Sequence, residues 1–240
     1  MASSFDLKGK KVIVALPAGD STIPVEWMLA YIRTLQLAAQ YGLEVGILCR
    51  MGSSLIPKCR NEITHQFLYE TDADYMFCID SDVIWNPEDF IRQVAYATQM
   101  GTVMGPYPVK QDEPLFHAEY MVQDGKSVGE KHLLRIISGP AGFLCVSRET
   151  LEKIRDNNPD LDYEARNGDF VDSDRKINAM WDTMIHDGVY RGEDIAFCIR
   201  HNAAGERMWM DTRTHLKHVG TKVYEYDYNE YLNDKVFGEN

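Results

Sequence analysis

Asp80-Ser81-Asp82 follows directly on the apolar run Tyr75–Ile79, YMFCI. A short run of that composition predicts a buried strand. Two carboxylates at its end cannot be core residues, because burying unpaired charge is costly. In an open parallel sheet, ligands bind beyond the carboxyl ends of the strands. Residues i and i+2 of an extended chain point to one side, so Asp80 and Asp82 are expected to face one hard cation or its water shell. Oxygen ligands suit Mg2+ or Mn2+ bridged to phosphates. The bland alternative is a solvated turn that caps the next helix.

Gly192-Glu193-Asp194 stands directly before the apolar helical run Ile195-Ala196-Phe197-Cys198. A carboxylate there can accept a proton from an attacking hydroxyl if it lies within hydrogen-bond reach. It can equally be an acidic first turn, favoured by the helix dipole. His215, His218, Gly220 and Lys222 follow a short strand expected over Arg207 to Asp211. Neutral imidazole can complete a Mn2+ site begun by carboxylates, and Lys222 can meet a phosphate as a point charge. Asn61, beside Arg60, sits mid-helix despite weak propensity, which predicts a hydrogen bond for it. Trp85, Trp181 and Trp209 are either core residues or platforms for a sugar ring.

The elements that must position these groups alternate between strand and helix, the pattern of an α/β fold with a mainly parallel sheet flanked by helices. Lys11 to Leu16 reads as a buried first strand ending at the turn Pro17-Ala18-Gly19. Pro24 to Tyr41 has helical spacing, and Gly42 is placed to end it. Strands are expected over Glu44 to Cys49, Tyr75 to Ile79, Thr102 to Met104 and Phe143 to Val146. Helices are expected over Pro57 to Glu70, Pro87 to Gln99, Glu149 to Arg155 and Ile195 to Asn202. Phe116 to Val122 and His132 to Ile137 read as a hairpin around Asp124-Gly125. Residues 156 to 180 are polar and read as a long functional loop, and the tail from Lys222 is polar and rich in tyrosine.

The length of 240 residues suits one domain over residues 1–240, with a nucleotide-binding half at about 10–110, an acceptor half at about 111–222 and a tail at 223–240. Net charge of −12 argues against nucleic acid or anionic membrane as a partner. Lys126, Lys131, His132 and Arg135 form the best basic patch, read as a solvated hairpin. No run approaches the roughly 18 apolar residues of a membrane span, and Met1 to Asp6 lacks the features of a signal peptide. Five cysteines without a CxxC pair are read as free thiols of a reducing cytosol.

The order of the pieces is more specific than any one of them: a strand-turn near Pro17, Arg60-Asn61, Asp80-Ser81-Asp82, Ser138-Gly139-Pro140-Ala141-Gly142-Phe143, Gly192-Glu193-Asp194 and His218. Over about residues 10 to 222 it resembles the GT-A glycosyltransferases, above all the compact ones of phages and large viruses. The resemblance implies a single Rossmann-like domain and transfer of a sugar from a nucleoside-diphosphate sugar, UDP-type favoured, to a hydroxyl of a glycan, a protein or a modified base of phage DNA, in the host cytoplasm. It implies Mn2+ or Mg2+ as cofactor, with Asp82 and His218 as ligands and Asp80 on the metal, ribose or sugar. Pro17, Ala18, Gly19, Arg60, Asp80, Ser81, Asp82 and Lys222 would bind the nucleotide sugar. Gly139, Pro140, Ala141, Gly142 and Trp181 would shape the sugar and acceptor pocket. Asp194 would be the catalytic base of an inverting displacement, with Glu193 as the alternative. His218-x-Gly220-x-Lys222 is one residue shorter than the His-x-Gly-x-x-Lys pattern of some retaining members. A sugar-phosphate nucleotidyltransferase is the main rival, but Leu16 to Ser21 lacks the arginine such a loop needs. A non-catalytic nucleotide-sugar-binding module is the other.

Overall fold

Strand alternation dictates two cores, one on each side of a central sheet. In β1 (Lys11–Ala18), Val12, Val14 and Leu16 face one cluster. Ala15 faces the other, with Ile13 packed at its margin. The first cluster is covered by α1 (Val25–Gln40) and α3 (Pro87–Met100). The second is covered by α2 (Ile56–Glu70), α4 (Arg148–Asn157) and α5 (Glu193–Ala203). The computed structural model describes residues 6–130, 132–165, 175–220 and 222–235. The first five residues, Lys131 and residues 166–174 of the expected long loop lie outside the described residues.

The sheet also contains β2 (Glu44–Met51), β3 (Tyr75–Ile79), β5 (Thr102–Met104), β6 (Glu119–Tyr120), β7 (Leu133–Ser138), β8 (Phe143–Ser147) and β9 (Met208–Asp211). A short strand β4 (Val83–Ile84) lies outside it. The order is β2-β1-β3-β8-β5-β9-β7-β6, with Gly129–Glu130 also on β7, nine strands among the described residues. All run one way except β7 and β8, which are antiparallel to every neighbour. The expected mainly parallel α/β sheet is thus present, with one reversed strand at its centre.

Local chemistry sets the element ends. Gly101 closes α3 with φ of 73°, and Gly42 follows α1 with φ of 65°, a backbone that favours glycine. Ser147 caps α4 by accepting from the Thr150 amide at 3.2 Å. Asp124 and Gly125, at φ of 51° and 74°, turn the hairpin of Val122–Gln123 and Lys126–Ser127 in the expected place. The described residues of 156–180, which are 156–165 and 175–180, are less irregular than expected. They hold the end of α4, a 3-10 turn at Pro159–Leu161, and a ladder of Asp162–Tyr163 with Ile177–Asn178.

Among the elements not expected is a hairpin of Met184–His186 with Val189–Arg191. The tail forms α6 (Tyr228–Lys235), which buries Tyr228 and Leu232 on the second core cluster. A small sheet pairs β4 with β10 (Lys217–His218), and β10 with β11 (Tyr224–Glu225). Among the described residues, no helix is long and apolar enough to cross a membrane.

Arg148 holds the end of α2. It donates to the carbonyls of Ala73, Leu68, Phe67 and Thr71 at 2.8 to 3.1 Å, and its guanidinium lies 4.4 Å from the centre of the Phe67 ring. These include orphan carbonyls of a helix end, which otherwise need water or a cap. A lysine has no planar fork to reach them together. Arg148→Lys is expected to cost about 2–3 kcal/mol, read as a fall in melting temperature of roughly 5–10 °C. An unchanged melting temperature would remove this role.

Candidate active site

The site lies where β1 and β3 end. Ala15 pairs with Cys78 in parallel register, so Pro17 and Asp80 emerge at one edge of the sheet. The turn after β1 is tightly packed. Ala18 is buried, and a Cβ on Gly19 would stand 2.8 Å from the Ser53 carbonyl oxygen.

Arg60 is the centre of the arrangement. It projects from α2 with its side chain only 3% exposed. Its Nη2 donates to Asp80 Oδ1 at 2.8 Å and lies 3.7 Å from Asp194 Oδ1. Its Nη1 donates to the Ala141 carbonyl at 3.4 Å. A guanidinium taken out of water needs such counter-charge. The end of β3, the loop before β8 and the start of α5 are therefore drawn to one point.

The carboxylates respond differently to this setting. Burial pushes Asp194 up to about 6; Arg60 opposes the shift, while Asp80 and Glu193 reinforce it. Burial also raises Asp80, again against Arg60. A Cβ on Gly142 would overlap both Asp80 Oδ2 and Tyr107 Oη, so only glycine lets the loop approach. The Asp80 amide donates to the Gly142 carbonyl at 3.1 Å.

Asp80-Ser81-Asp82 is not extended, contrary to expectation. The Val83 amide donates to the Asp80 carbonyl at 3.1 Å, which closes a turn, and the two carboxylates take different partners. Asp82 belongs instead with His218. Ladder pairing sets His218 opposite Val83, and the Val219 amide donates to the Asp82 carbonyl at 2.8 Å. His218 Nδ1 donates to the Pro108 carbonyl at 2.8 Å. Its Nε2 then faces Asp82 Oδ2 at 3.4 Å. When the ring carries both protons Nε2 donates toward Asp82, and when it carries one the two atoms are acceptors that a cation can join. Lys110 also meets Asp82 Oδ2. Burial would raise the Asp82 carboxyl, but His218 and Lys110 together outweigh it and hold it at about 2.

Asp80, expected on the metal, is engaged by Arg60 at 2.8 Å, and among the described residues no three His, Cys, Asp or Glu side chains converge. Asp82 and His218 are two donors of the kind Mn2+ or Mg2+ takes, with further positions left to oxygens of a ligand.

A cavity of about 590 Å³ opens beside them, lined by Gly139, Pro140, Glu193, Asp194 and His218. Tyr107, Lys110 and His117 line it too and were not expected. The signal was Gly105-Pro106-Tyr107-Pro108, a turn cluster straight after the strand Thr102–Met104 and hence at the same edge. Lys222 is exposed and pairs with Asp112; Lys110 stands at Asp82 in its place. Trp181 is no pocket wall. It is fully buried, stacks on Phe197 with centroids 3.9 Å apart, and donates to Thr64 Oγ1 at 2.9 Å. Asn61 makes the bonds its mid-helix position predicted, donating to Asp182 at 2.8 Å and accepting from the Trp181 amide at 2.9 Å.

No protein-family profile and no curated protein matches the chain by sequence. By structure it is similar to A197 from STIV, with a TM-score of 0.53 at 16% identity, covering 90% of this chain and 93% of that one. It is also similar to S. aureus TarS 1-349, with a TM-score of 0.43 at 13% identity over 84% of this chain and 57% of that one. A third is GalNAc-T7 with UDP, GalNAc and Mn2+, with a TM-score of 0.48 at 8% identity over 91% of this chain and 44% of that one. The chain thus spans about half the length of the last two. Its fold is of the GT-A type.

The raised Asp194 carboxyl has a consequence for stability. The folded protein holds this proton more tightly than the unfolded chain, whose value is near 3.8, so this group's contribution falls as pH rises from about 4 through about 6. Asp194→Asn abolishes that loss. Its melting temperature relative to the parent is expected to climb over that interval and level off above it. A difference independent of pH would contradict the environment described.

Proposed function

We propose that this chain is a glycosyltransferase that moves a sugar from a nucleoside-diphosphate sugar, UDP-type favoured, to an acceptor hydroxyl. The observation that carries the reading is the single cavity edge at which Arg60 joins Asp80 to Asp194 while Asp82 meets His218. The GT-A type fold supports it.

In this reading the turn Pro17-Ala18-Gly19 and Ser81 receive the base and ribose. Arg60 orients Asp80 toward the donor. Asp82 and His218 would hold Mn2+ or Mg2+, which would supply positive charge to neutralise the leaving diphosphate. Lys110 is close enough to Asp82 to add a second positive charge there. Gly139, Pro140, Ala141 and Gly142 shape the space for the sugar and acceptor. Asp194 takes the proton of the acceptor hydroxyl as its oxygen bonds to the anomeric carbon. The bond from that carbon to the diphosphate oxygen breaks, and its electron pair leaves with the diphosphate. A carboxylate with a value of about 6 is ionised at neutral pH yet basic enough for this role. Direct displacement inverts the anomeric centre. The acceptor is a glycan or protein hydroxyl in preference to a modified DNA base, because the net charge of −12 repels DNA.

Two measurements test the reading. Calorimetric titration with UDP is expected to give much weaker binding in chelator than in Mn2+; equal affinity in both would sink the metal assignment. Asp194→Asn is expected to lower turnover of the nucleotide sugar by roughly 10²-fold or more, with UDP affinity little changed. Full activity in that variant would end the assignment of Asp194, and a loss confined to Glu193→Gln would move the base by one residue.

A further inference from the structure

The cavity at Asp194 has a neighbour. A second cavity of about 590 Å³ opens beside the first turns of α2. Arg60 and Asn61 are successive residues of that helix. Arg60 reaches the carboxylates of the candidate site, and Asn61 lines the second cavity. One segment of chain joins the two spaces. Asp182 and Thr183 line the second cavity, and Gly192 and Glu193 line the first. Between them stands the hairpin of Met184–His186 with Val189–Arg191, whose ladder sets Met184 beside Arg191. Thr183 and Gly192 flank that pair. The rims of the two cavities therefore come close at the hairpin base, where paired strands stand about 5 Å apart.

The lining of the second cavity is suited to hydroxyl groups. Two buried asparagines hold its carboxylates. Asn61 Nδ2 donates to Asp182 Oδ1 and Asn178 Nδ2 donates to Asp162 Oδ1, each at 2.8 Å. Each carboxylate keeps a second oxygen that can accept. Groups fixed in this way lose little freedom when a ligand hydroxyl donates to them. Pro57, Leu161 and the ring of Tyr163 supply apolar surface in the same lining. A sugar ring matches this combination, because its faces are apolar and its edge is hydroxylated. Charge keeps out the donor's diphosphate. Asp160 adds a third carboxylate, and Lys58 in the same lining already faces Glu62 at 3.6 Å. The acids do not form a metal site either, since no three of them converge among the described residues.

We infer that the second cavity is a distal acceptor subsite and that the acceptor is an uncharged oligosaccharide. Its terminal sugar meets Asp194, and a sugar further along the chain fills the second cavity. The inference rests on the glycosyltransferase reading of the Asp194 cavity. A ligand that reaches from one cavity to the other crosses the base of the hairpin. Asp187 and Gly188, with φ of 51° and 75°, make the tight turn that sets the hairpin's shape. Its cross-strand pair Ile185 and Tyr190 is exposed by 66% and 67%. The Tyr190 ring, two residues from Gly192, gives the crossing sugar an apolar face to stack on. An oligosaccharide fits this path better than a peptide. Hydroxyls rotate to donate to carboxylates, whereas a peptide presents as many carbonyls as amides and would set some of them against the acids.

Chain-length dependence tests the subsite. The probes are uncharged oligomers of glucose, mannose and N-acetylglucosamine, one to six units long, titrated by calorimetry into the full chain with UDP and Mn2+ present. At least one series is expected to gain about tenfold or more in affinity between one and four units. Tyr190→Ala and Asp160→Ala are each expected to remove most of that gain. Both positions are exposed and stand outside the catalytic cavity, so UDP affinity and melting temperature should stay near those of the parent. Affinity independent of length in all three series overturns the subsite, as does failure of every oligomer to bind while UDP binds normally. Either result leaves the glycosyltransferase reading standing. Absence of UDP binding brings down that reading and the subsite with it. A length gain that survives both substitutions, or that serine-containing peptides of equal length match, also overturns the proposal.

Discussion

The arrangement of this protein depends on one buried positive charge. Arg60 is almost without solvent on α2, and a guanidinium so placed is tolerable only with anionic partners and hydrogen bonds around it. Asp80 arrives from a strand end, Asp194 from a helix start and the Ala141 carbonyl from a loop. Because Arg60 takes Asp80, Asp82 is left to His218 and Lys110 on the other side of the turn. The backing of α2 serves the same point. Arg148 satisfies carbonyls at its C-terminal end, and Trp181 lies with its ring centroid 5.2 Å from the Arg60 guanidinium.

The same residue type takes opposite characters within this small region. Asp194 is pushed up to about 6 because burial and two acidic neighbours exceed the help of one arginine. Asp82 is held at about 2 because two donors exceed a smaller burial penalty. Carboxyl groups whose environments drive them apart in this way divide the work of proton transfer and of binding positive charge. The division agrees with the roles proposed for them, and it follows from packing, since nothing in an isolated aspartate distinguishes the two.

Helix α1 connects this site to the outside of the molecule. It begins just after the turn at Pro17, and its buried Trp27 donates to the Asp80 carbonyl at 3.0 Å. Trp27 also meets Trp85 edge-on, at a centroid distance of 5.1 Å. The helix thus braces the backbone of the strand end with its buried face, while Val25, Met28 and Ile32 on its outer face are exposed. Sheet edge, α1 and the end of β3 pack together at one corner of the fold.

How much of this was legible in the sequence varied with the range of the interactions. The β-branched run Lys11–Leu16, the run Tyr75–Ile79, the glycine after Tyr41 and Asp124-Gly125 are local signals, and the corresponding elements lie where those signals put them. The α/β class follows from their order. The acidic pair at the strand end and the acids at the helix start were visible as candidates because charge at an apolar boundary is itself a local pattern. What the side chains meet was not visible. Beyond the turn at Ser81, Asp80 and Asp82 take different partners, and a two-residue ladder brings His218 to Asp82 across more than a hundred residues of chain. Lys110 rather than Lys222 reaches that point, and Trp181 packs inward instead of facing the cavity. The tail helix α6 forms because a core surface is there to bury Tyr228 and Leu232. Local composition determines which elements form and where charge must emerge. Only tertiary packing decides which charges are desolvated together, because that depends on residues distant in the chain sharing one low-dielectric volume.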